Sequence, residues 1–175
     1  GHIYAPHTYL LPELAGGRHH IKIRIDNSKD AVPKEIQGSH AWTDGTQTNW
    51  NGILGDFHIE ATPHTYIKDV QAYPSVKERK TAVILHINSS SEQNGTIKIE
   101  SSSWNSARTH TIPAIKEKVE LNEGENRIEM MLDMGEDMLT WSEFHPALYR
   151  LNASLSTKDG KDNQIIQDRK STRLN

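Results

Sequence analysis

The residues most able to do chemistry lie in the loop from Gln37 to Gly55. This loop contains two tryptophans together with asparagine, aspartate, glutamine and three threonines, and it has no hydrophobic periodicity. Such a mixture suits sugar recognition, because flat rings cover C–H faces while amides, hydroxyls and carboxylates bond sugar hydroxyls. It also fits an ordered loop whose polar side chains satisfy its own backbone and whose tryptophans plug the ends of a sandwich. The composition alone leaves both interpretations open.

Other candidate groups favour structural roles. Glu143 lies beside Trp141 and His145 but has no second carboxylate nearby in sequence, so we expect no catalytic residue there. The acidic residues around Gly135 are spaced like a solvated turn rather than a calcium loop. The ten histidines contain no His-x-x-x-His pair, and there is no cysteine to assist them, so no metal site is predicted.

The composition of the 175-residue chain excludes several classes of protein. With no cysteine, a disulfide scaffold is impossible, and a net charge of −3 with a pI near 6.4 disfavours nucleic-acid binding. No apolar run approaches the roughly 18–20 residues of a membrane span, and no signal peptide opens the chain. Mean hydropathy is low, at −0.71, but the tryptophans, tyrosines and spaced aliphatic residues can still build a core.

The elements that must position these groups follow a period of two. Apolar residues alternate with polar ones at 21–25, 53–59, 83–87, 97–99, 119–121, 128–132 and 149–155, which is typical of strands with one buried face. Turn residues separate the runs, and Asn94-Gly95 is a hairpin signal. The sequence therefore predicts an all-β fold of antiparallel sandwiches. Some seven strands are expected between Tyr66 and about Leu155, enough for one immunoglobulin-like domain.

A domain boundary is expected at Ala61-Thr62-Pro63, because proline interrupts a hydrogen-bonded ladder. Residues 1–62 then offer only two clear strands, too few for an independent core, so this part is interpreted as the end of a larger sandwich. Residues 63–167 form the second domain. Residues 168–175 are basic and unpatterned, and they are interpreted as an unstructured tail, a cloning or sequencing scar.

Three segments carry a family resemblance. Residues 49–55, followed by a strand and Thr62-Pro63, residues 16–27 ending in an Asp-Asn turn, and residues 141–151 with a Trp-x4-Pro-x-Leu-Tyr pattern are together similar to glycoside hydrolase family 2. This is the family of β-galactosidases and β-glucuronidases, and the resemblance covers about residues 4 to 167. It implies a partial sugar-binding jelly roll followed by an immunoglobulin-like sandwich. It also places the Trp141 ring in the sandwich core, with Pro146 turning the chain into the last main strand.

The resemblance implies that catalysis belongs to another part of the parent protein. In this family, paired glutamates on a TIM barrel perform retaining hydrolysis with carboxyl groups about 5–5.5 Å apart, and the barrel follows the immunoglobulin-like domain. We therefore expect a non-catalytic fragment of an enzyme that hydrolyses β-glycosides, β-galactosidase-like, without a cofactor. By resemblance it is periplasmic or extracellular, and its partners are carbohydrate and the missing barrel.

The family's sugar-binding domain also lends loop residues to the rim of the active site. An acidic residue about six positions before the Gly-Ile pair often contacts substrate there, but that position is Thr46 in this chain. Asp44 is the nearest carboxylate, so Asp44, with Asn49 and Trp50, forms the predicted substrate-binding set. The alternatives are a free-standing carbohydrate-binding module, in which the loop binds glycan by itself, and a purely structural sandwich.

Overall fold

A computed structural model describes residues 7–26, 33–40, 52–53 and 55–167. The chain divides into two compact units, Gly1–Ile59 and Glu60–Asn175. In the first unit the described residues include one 3₁₀ turn, Lys34–Ile36, which buries no side chain. No described helix is long and apolar enough to cross a membrane. The domain boundary proposed at Pro63 stays a prediction. The unstructured tail proposed at 168–175 also stays a prediction, since these residues lie outside the described ones.

The two strands expected before Pro63 do not form. The described residues of 7–65 contain no β-strand, although the isoleucines at 21–25 and the apolar residues at 53–59 alternate as a strand requires. All of these side chains are exposed. The reason is that a strand gains its stability from a ladder and a buried face, and no described residue of this unit supplies a neighbouring strand. The strand prediction is therefore wrong for these segments, and the jelly-roll assignment stays a prediction.

Within residues 60–167 the chain forms seven strands. They are β1 (Tyr66–Ser75), β2 (Lys80–Ser89), β3 (Gln93–Trp104), β4 (Thr111–Leu121), β5 (Gly124–Asp133), β6 (Leu148–Thr157) and β7 (Gly160–Gln167). They make two antiparallel sheets, one in the order β1-β2-β5 and the other in the order β4-β3-β6-β7. The all-β prediction is confirmed. The sequence pattern, however, predicts that the last strand ends at about Leu155, whereas β7 begins after it, at Gly160.

The inner faces of the two sheets form the core, as the period of two predicts. Every second residue of β2 from Thr81 to Ser89 is buried, and the same alternation runs along β3 and β6. The fully buried large side chains are Ile67, Val83, Leu85, Ile87, Ile97, Ile99, Leu121, Leu132 and Leu155. This apolar layer holds the sheets together, because burying an aliphatic side chain stabilises by roughly 1.5–3 kcal/mol.

The turn signals have different outcomes. Asp159-Gly160 is confirmed as a tight hairpin turn, since Thr157 pairs directly with Gly160. Asn122-Glu123-Gly124 is also a turn, but it carries the chain from one sheet to the other. Asn126, almost fully buried, holds it by accepting from the Asn122 N–H at 2.9 Å and donating to the Gly124 carbonyl at 3.0 Å. Side-chain hydrogen bonds to local backbone of this kind stabilise turns.

The hairpin expected at Asn94-Gly95 is wrong. Both residues lie inside β3, and the chain crosses between the sheets just before them. Gly95 is needed for packing rather than for a turn. A Cβ at this position would come within 3.2 Å of the Leu155 Cδ1 and 3.3 Å of the Thr157 Cγ2, both on the neighbouring strand β6. Glycine in a strand interior often marks such a close approach.

Candidate functional site

The predicted substrate-binding residues Asp44, Asn49 and Trp50 lie outside the described residues, so their role stays a prediction. Two glycines that follow them are described, and they have positive φ angles, +92° at Gly52 and +86° at Gly55. L-residues rarely adopt this backbone conformation, which explains why glycine occupies both positions. Ile53, between them, is exposed.

A groove on the outer face of the three-stranded sheet gathers acidic, basic, amide and imidazole side chains. It has a volume of about 230 Å³ and is lined by Lys68, Asp69, Gln71, His86, Ile87 and Glu125. Its shape depends on an irregularity in the edge strand β1, whose register with β2 shifts between Ile67 and Asp69. A bulge inserts one extra residue and re-aims the neighbouring side chains, so Lys68 and Asp69 are both exposed here.

Along β1, two side chains of the groove, Asp69 and Gln71, form a hydrogen-bonded row with the neighbouring Tyr73. The Gln71 amide Nε2 donates to Asp69 Oδ2 at 2.9 Å, and the Tyr73 hydroxyl donates to Gln71 Oε1 at 2.9 Å. These residues are two positions apart, so they share the outward face of the strand. A carboxylate, an amide and an aromatic hydroxyl held in line are groups that can hydrogen-bond a polyhydroxyl ligand.

An ion pair closes the other side of the groove. The Lys68 ammonium contacts the Glu125 carboxylate, joining β1 to β5 across the β2 strand that carries His86. This hydrogen bond raises the pKa of Lys68 and lowers the pKa of Glu125. Glu125 is therefore ionised near neutral pH and is a hydrogen-bond acceptor rather than a proton donor. The groove is equipped to bind a polar ligand, and its glutamate is unsuited to general-acid chemistry.

The segment from Trp141 to Leu151 differs from the expectation drawn from its sequence. Trp141 is half-buried rather than part of the core. Its backbone pairs with that of Pro146 in an isolated antiparallel β-bridge, which closes a tight loop. The Ser142 N–H donates to the His145 carbonyl at 2.9 Å, and the His145 N–H donates back at 3.2 Å. These bonds fix the loop and leave Glu143 exposed at its tip. The prediction that the Trp141 ring lies in the core is wrong, because Trp141 stays partly exposed and is not among the buried core residues.

Tyr149 takes the buried position at this end of the sandwich. Only 5% of it is exposed, and its hydroxyl is hydrogen-bonded to His110 Nδ1 at 2.6 Å while accepting from the Leu139 N–H at 2.9 Å. Burial raises the pKa of the Tyr149 hydroxyl. The His110 ring also meets the Tyr149 ring edge-on, with centroids 5.8 Å apart. One phenol thus ties β6 to the start of β4 and to the loop before Trp141.

Asp159 lies in the turn between β6 and β7 and organises a polar cluster there. Its Oδ2 accepts from the Thr65 hydroxyl at 2.6 Å, the Ser90 hydroxyl at 2.8 Å and the Gln93 amide at 2.8 Å. Hydrogen bonds from Gln93, Thr65 and Ser90 lower the pKa of Asp159 to about 2. Thr65 precedes β1, and Ser90 and Gln93 belong to the crossing from β2 to β3. The cluster is therefore structural, because its donors serve to fasten three connections together.

The acidic residues around Gly135 form a turn, as expected. The Gly135 N–H donates to Asp133 Oδ1 at 2.9 Å, and Glu136 and Asp137 are exposed. Across the described ranges, no group of three or more His, Asp or Glu side chains is arranged to hold a metal ion.

Sequence reasoning missed the groove, although part of its signal was present. Asp69, Gln71 and Tyr73 are alternate polar residues in an extended run, which predicts one wet strand face. The contribution of Lys68 depends on the bulge, and that of Glu125 depends on strand pairing 57 residues away. Neither feature is visible in local sequence.

Comparison with known proteins gives the family. The model for glycosyl hydrolases family 2 matches residues 65–172, more than half of the chain. No curated protein sequence gives a significant match.

Several solved structures are similar to the chain. One is a glycosyl hydrolase family 2 member from Bacteroides cellulosilyticus, at 16% identity and a TM-score of 0.45 over 59% of this chain and 15% of that one. The beta-glucuronidase of Bacteroides uniformis is 13% identical with a TM-score of 0.43, over 61% of this chain and 14% of that one. A putative beta-galactosidase from Bacteroides fragilis is 13% identical with a TM-score of 0.42, over 59% of this chain and 17% of that one.

The chain thus spans well under a fifth of the length of each of these three proteins. The family match begins at Thr65, one residue before β1, and extends beyond the end of β7. It therefore covers the whole seven-stranded sandwich. On the strength of this match, the chain belongs to glycosyl hydrolases family 2.

Proposed function

We propose that this chain is a non-catalytic part of a longer family 2 enzyme that hydrolyses β-glycosidic bonds, β-galactosidase-like, in carbohydrate metabolism. In this proposal the catalytic glutamates belong to a TIM barrel that the chain does not include, and the enzyme works in the periplasm or outside the cell. The observation that carries the proposal is the family match, which coincides with the complete seven-stranded sandwich.

The chemistry of the described residues supports a non-catalytic role. Retaining hydrolysis needs a carboxylic acid that can donate a proton and a second carboxylate about 5–5.5 Å away. In the groove, the hydrogen bond from Lys68 lowers the pKa of Glu125, which makes this carboxyl a still weaker match for a general acid that must hold a proton. Glu143 lies exposed at the tip of a short loop and is not among the residues that line the groove.

The direct test uses a panel of nitrophenyl β-glycosides. The purified chain is expected to release no nitrophenol above a heat-killed control, whereas the full-length product of the parent gene is expected to release it from at least one β-glycoside. Release by the chain alone would show that it is catalytic. An inactive full-length product would instead overturn the assignment of the parent as a β-glycosidase.

The groove favours a second candidate, a carbohydrate-binding module. Its row of Asp69, Gln71 and Tyr73 offers an acceptor, an amide and an aromatic hydroxyl on one exposed strand face. Titration with β-galactosides and β-glucosides, followed by amide NMR shifts, would move β1 and β2 signals if the groove binds sugar. Gln71→Ala should abolish those shifts, while Glu129→Ala, on the same outer face, should preserve them. Unchanged spectra would contradict sugar binding in the groove.

A further inference from the structure

The outer face of the four-stranded sheet differs in charge from the rest of the molecule. Its outward residues include five cations, Lys98, Arg150, Lys116, Lys118 and Lys161, and two carboxylates, Glu100 and Glu120. The whole chain, in contrast, carries a net charge of −3. We call this surface the basic face.

The arrangement of the lysines is unfavourable for the protein by itself. Lys98 and Lys116 are directly opposite each other on neighbouring strands, a placement in which like charges destabilise a sheet. Lys98 is relieved by an ion pair with Glu100. Among the described residues, Lys116, Lys118 and Lys161 form no ion pair with a carboxylate. The basic face therefore has unneutralised cations at both of its edge strands, β4 and β7, and an anion placed between them would remove the repulsion.

Between the lysines the basic face presents hydroxyls and amides. Thr96 and Ser156 lie in the row that joins Lys118 to Lys161, and Ser154 and Asn163 lie in the next row. Asn152, one row further, has a buried Oδ1 with no hydrogen-bond partner in the described structure. This oxygen is enclosed, so the polar groups of these rows that face solvent are the Thr96, Ser154 and Ser156 hydroxyls and the Asn163 amide.

One end of the basic face carries a ring and a guanidinium. Arg150 lies over the Trp104 ring, with its Cζ 5.8 Å from the ring centroid. The Trp104 indole Nε1 is buried and, within the described residues, has no acceptor. Planar guanidinium groups recognise carboxylate and sulfate-like oxyanions in a bidentate fashion. This end thus adds an anion-binding cation to the lysines along the sheet.

We propose that the basic face binds an anionic polysaccharide, a glycan chain with repeated sulfate or carboxylate groups. Cations spread over a flat sheet match regularly spaced negative charges, and the intervening hydroxyl and amide side chains match sugar hydroxyls. A protein partner fits less well, because protein interfaces are depleted in lysine and serine and have an apolar centre. A single-stranded nucleic acid would require exposed rings for base stacking, whereas the Trp104 ring is only partly exposed and has the Arg150 guanidinium over it.

The test measures binding of the whole chain to defined polymers by calorimetry at low and at physiological salt. Heparin supplies sulfates, polygalacturonate supplies carboxylates, dextran is the neutral control, and polyglutamate is an acidic polypeptide. Binding to heparin or polygalacturonate supports the proposal, and which of the two binds identifies the anionic group. Binding to neither, equal binding to dextran, or equally tight binding to polyglutamate would overturn it.

A matched pair of variants locates the site. Lys116→Gln with Lys118→Gln should weaken binding about tenfold, because two contacts with the polyanion are lost. Lys80→Gln with Arg127→Gln changes the net charge equally on the outer face of the other sheet and should leave the affinity within about twofold. Equal losses in both variants would mean that net charge alone drives binding, against the proposal.

Amide NMR shifts on the unmodified chain give a readout that does not depend on variants. A bound polyanion should shift signals of β3, β4, β6 and β7 and leave β1 and β2 unchanged. Shifts confined to β1 and β2 would place the ligand in the groove of the three-stranded sheet and contradict the proposal.

Discussion

Two regions of this chain carry the same sequence pattern and have opposite structures. Ile21, Ile23 and Ile25 alternate with polar residues just as Val83, Leu85 and Ile87 do. The first three are 46–52% exposed and outside any strand, whereas the second three are at most 1% exposed at the centre of β2. Leu85 is paired with Val70 on one side and Ile128 on the other. The comparison teaches that alternation makes a strand possible and that partner strands on both sides make it stable.

Hydrogen exchange should show this contrast most strongly. Amides in the ladders of β2, β3 and β6 are expected to exchange about a thousandfold or more slowly than those of residues 7–26 and 55–60, because ladder amides open only with much of the sandwich. Mass spectrometry of peptides from each region gives the measurement. Comparable protection in both regions would mean that the first unit pairs its backbone in solution in some way.

Truncating one side chain in each of the two regions should have the next largest difference in effect, measured as the free energy of unfolding. Leu85→Ala is expected to reduce the free energy of unfolding by about 2–5 kcal/mol, since it leaves a cavity between the sheets. Ile23→Ala, matched in pattern, should change it by less than about 0.5 kcal/mol. Urea unfolding followed by fluorescence measures both through the midpoint at an unchanged slope. A large effect of Ile23→Ala would contradict the exposure of that segment.

This contrast also explains how far the sequence could predict the fold. Periodicity predicts the strands of the sandwich because there the pattern and the partners agree. It fails at Ile21–Ile25, where no described residue supplies a partner strand, and at Asn94-Gly95, where the packing of Leu155 rather than a turn requires glycine. Local sequence carries no signal for contacts that depend on tertiary pairing.

In the candidate site too, some features can be predicted from local sequence and others depend on tertiary pairing. The polar row on β1 is readable from alternate residues, but the bulge at Lys68 and its pairing with Glu125 depend on the neighbouring strands. The family resemblance predicts a core position for the Trp141 ring, but Trp141 is only half-buried. The buried aromatic residue of this segment is instead Tyr149. Its hydroxyl is hydrogen-bonded to His110 and Leu139, which lie 39 and 10 residues away in sequence.

Removing one hydroxyl should have different effects at two tyrosines of the sandwich, Tyr149 and Tyr73. Tyr149→Phe leaves the Leu139 N–H and the His110 ring without their partner in a buried setting, so we expect a loss of about 1–3 kcal/mol. Tyr73→Phe, on the exposed row of β1, should cost less than about 0.5 kcal/mol. Thermal unfolding of both variants is the measurement. Equal small effects would indicate that water replaces the Tyr149 hydrogen bonds.

The smallest expected effect concerns pH and the Asp159 cluster. Three donors hold the pKa of Asp159 at about 2, below the usual value of 3.8. A carboxyl whose pKa is lower in the folded than in the unfolded state stabilises the fold above the unfolded pKa, and this contribution disappears as pH falls through the folded pKa. The unmodified chain should therefore lose stability between about pH 4 and pH 2 relative to Asp159→Asn, which cannot ionise.

The measurement compares urea midpoints of the two proteins at pH 6, 4, 3 and 2. At pH 6 the unmodified chain should be the more stable, because the neutral amide introduced by Asp159→Asn is a weaker acceptor for Thr65, Ser90 and Gln93 than an ionised carboxylate is. The difference should shrink steadily towards pH 2. Glu143→Gln, at an exposed loop tip, is the control and should leave the midpoint nearly unchanged at each pH. A constant difference between the unmodified chain and Asp159→Asn would show that the cluster stabilises through the shape of the side chain, and that its charge adds nothing.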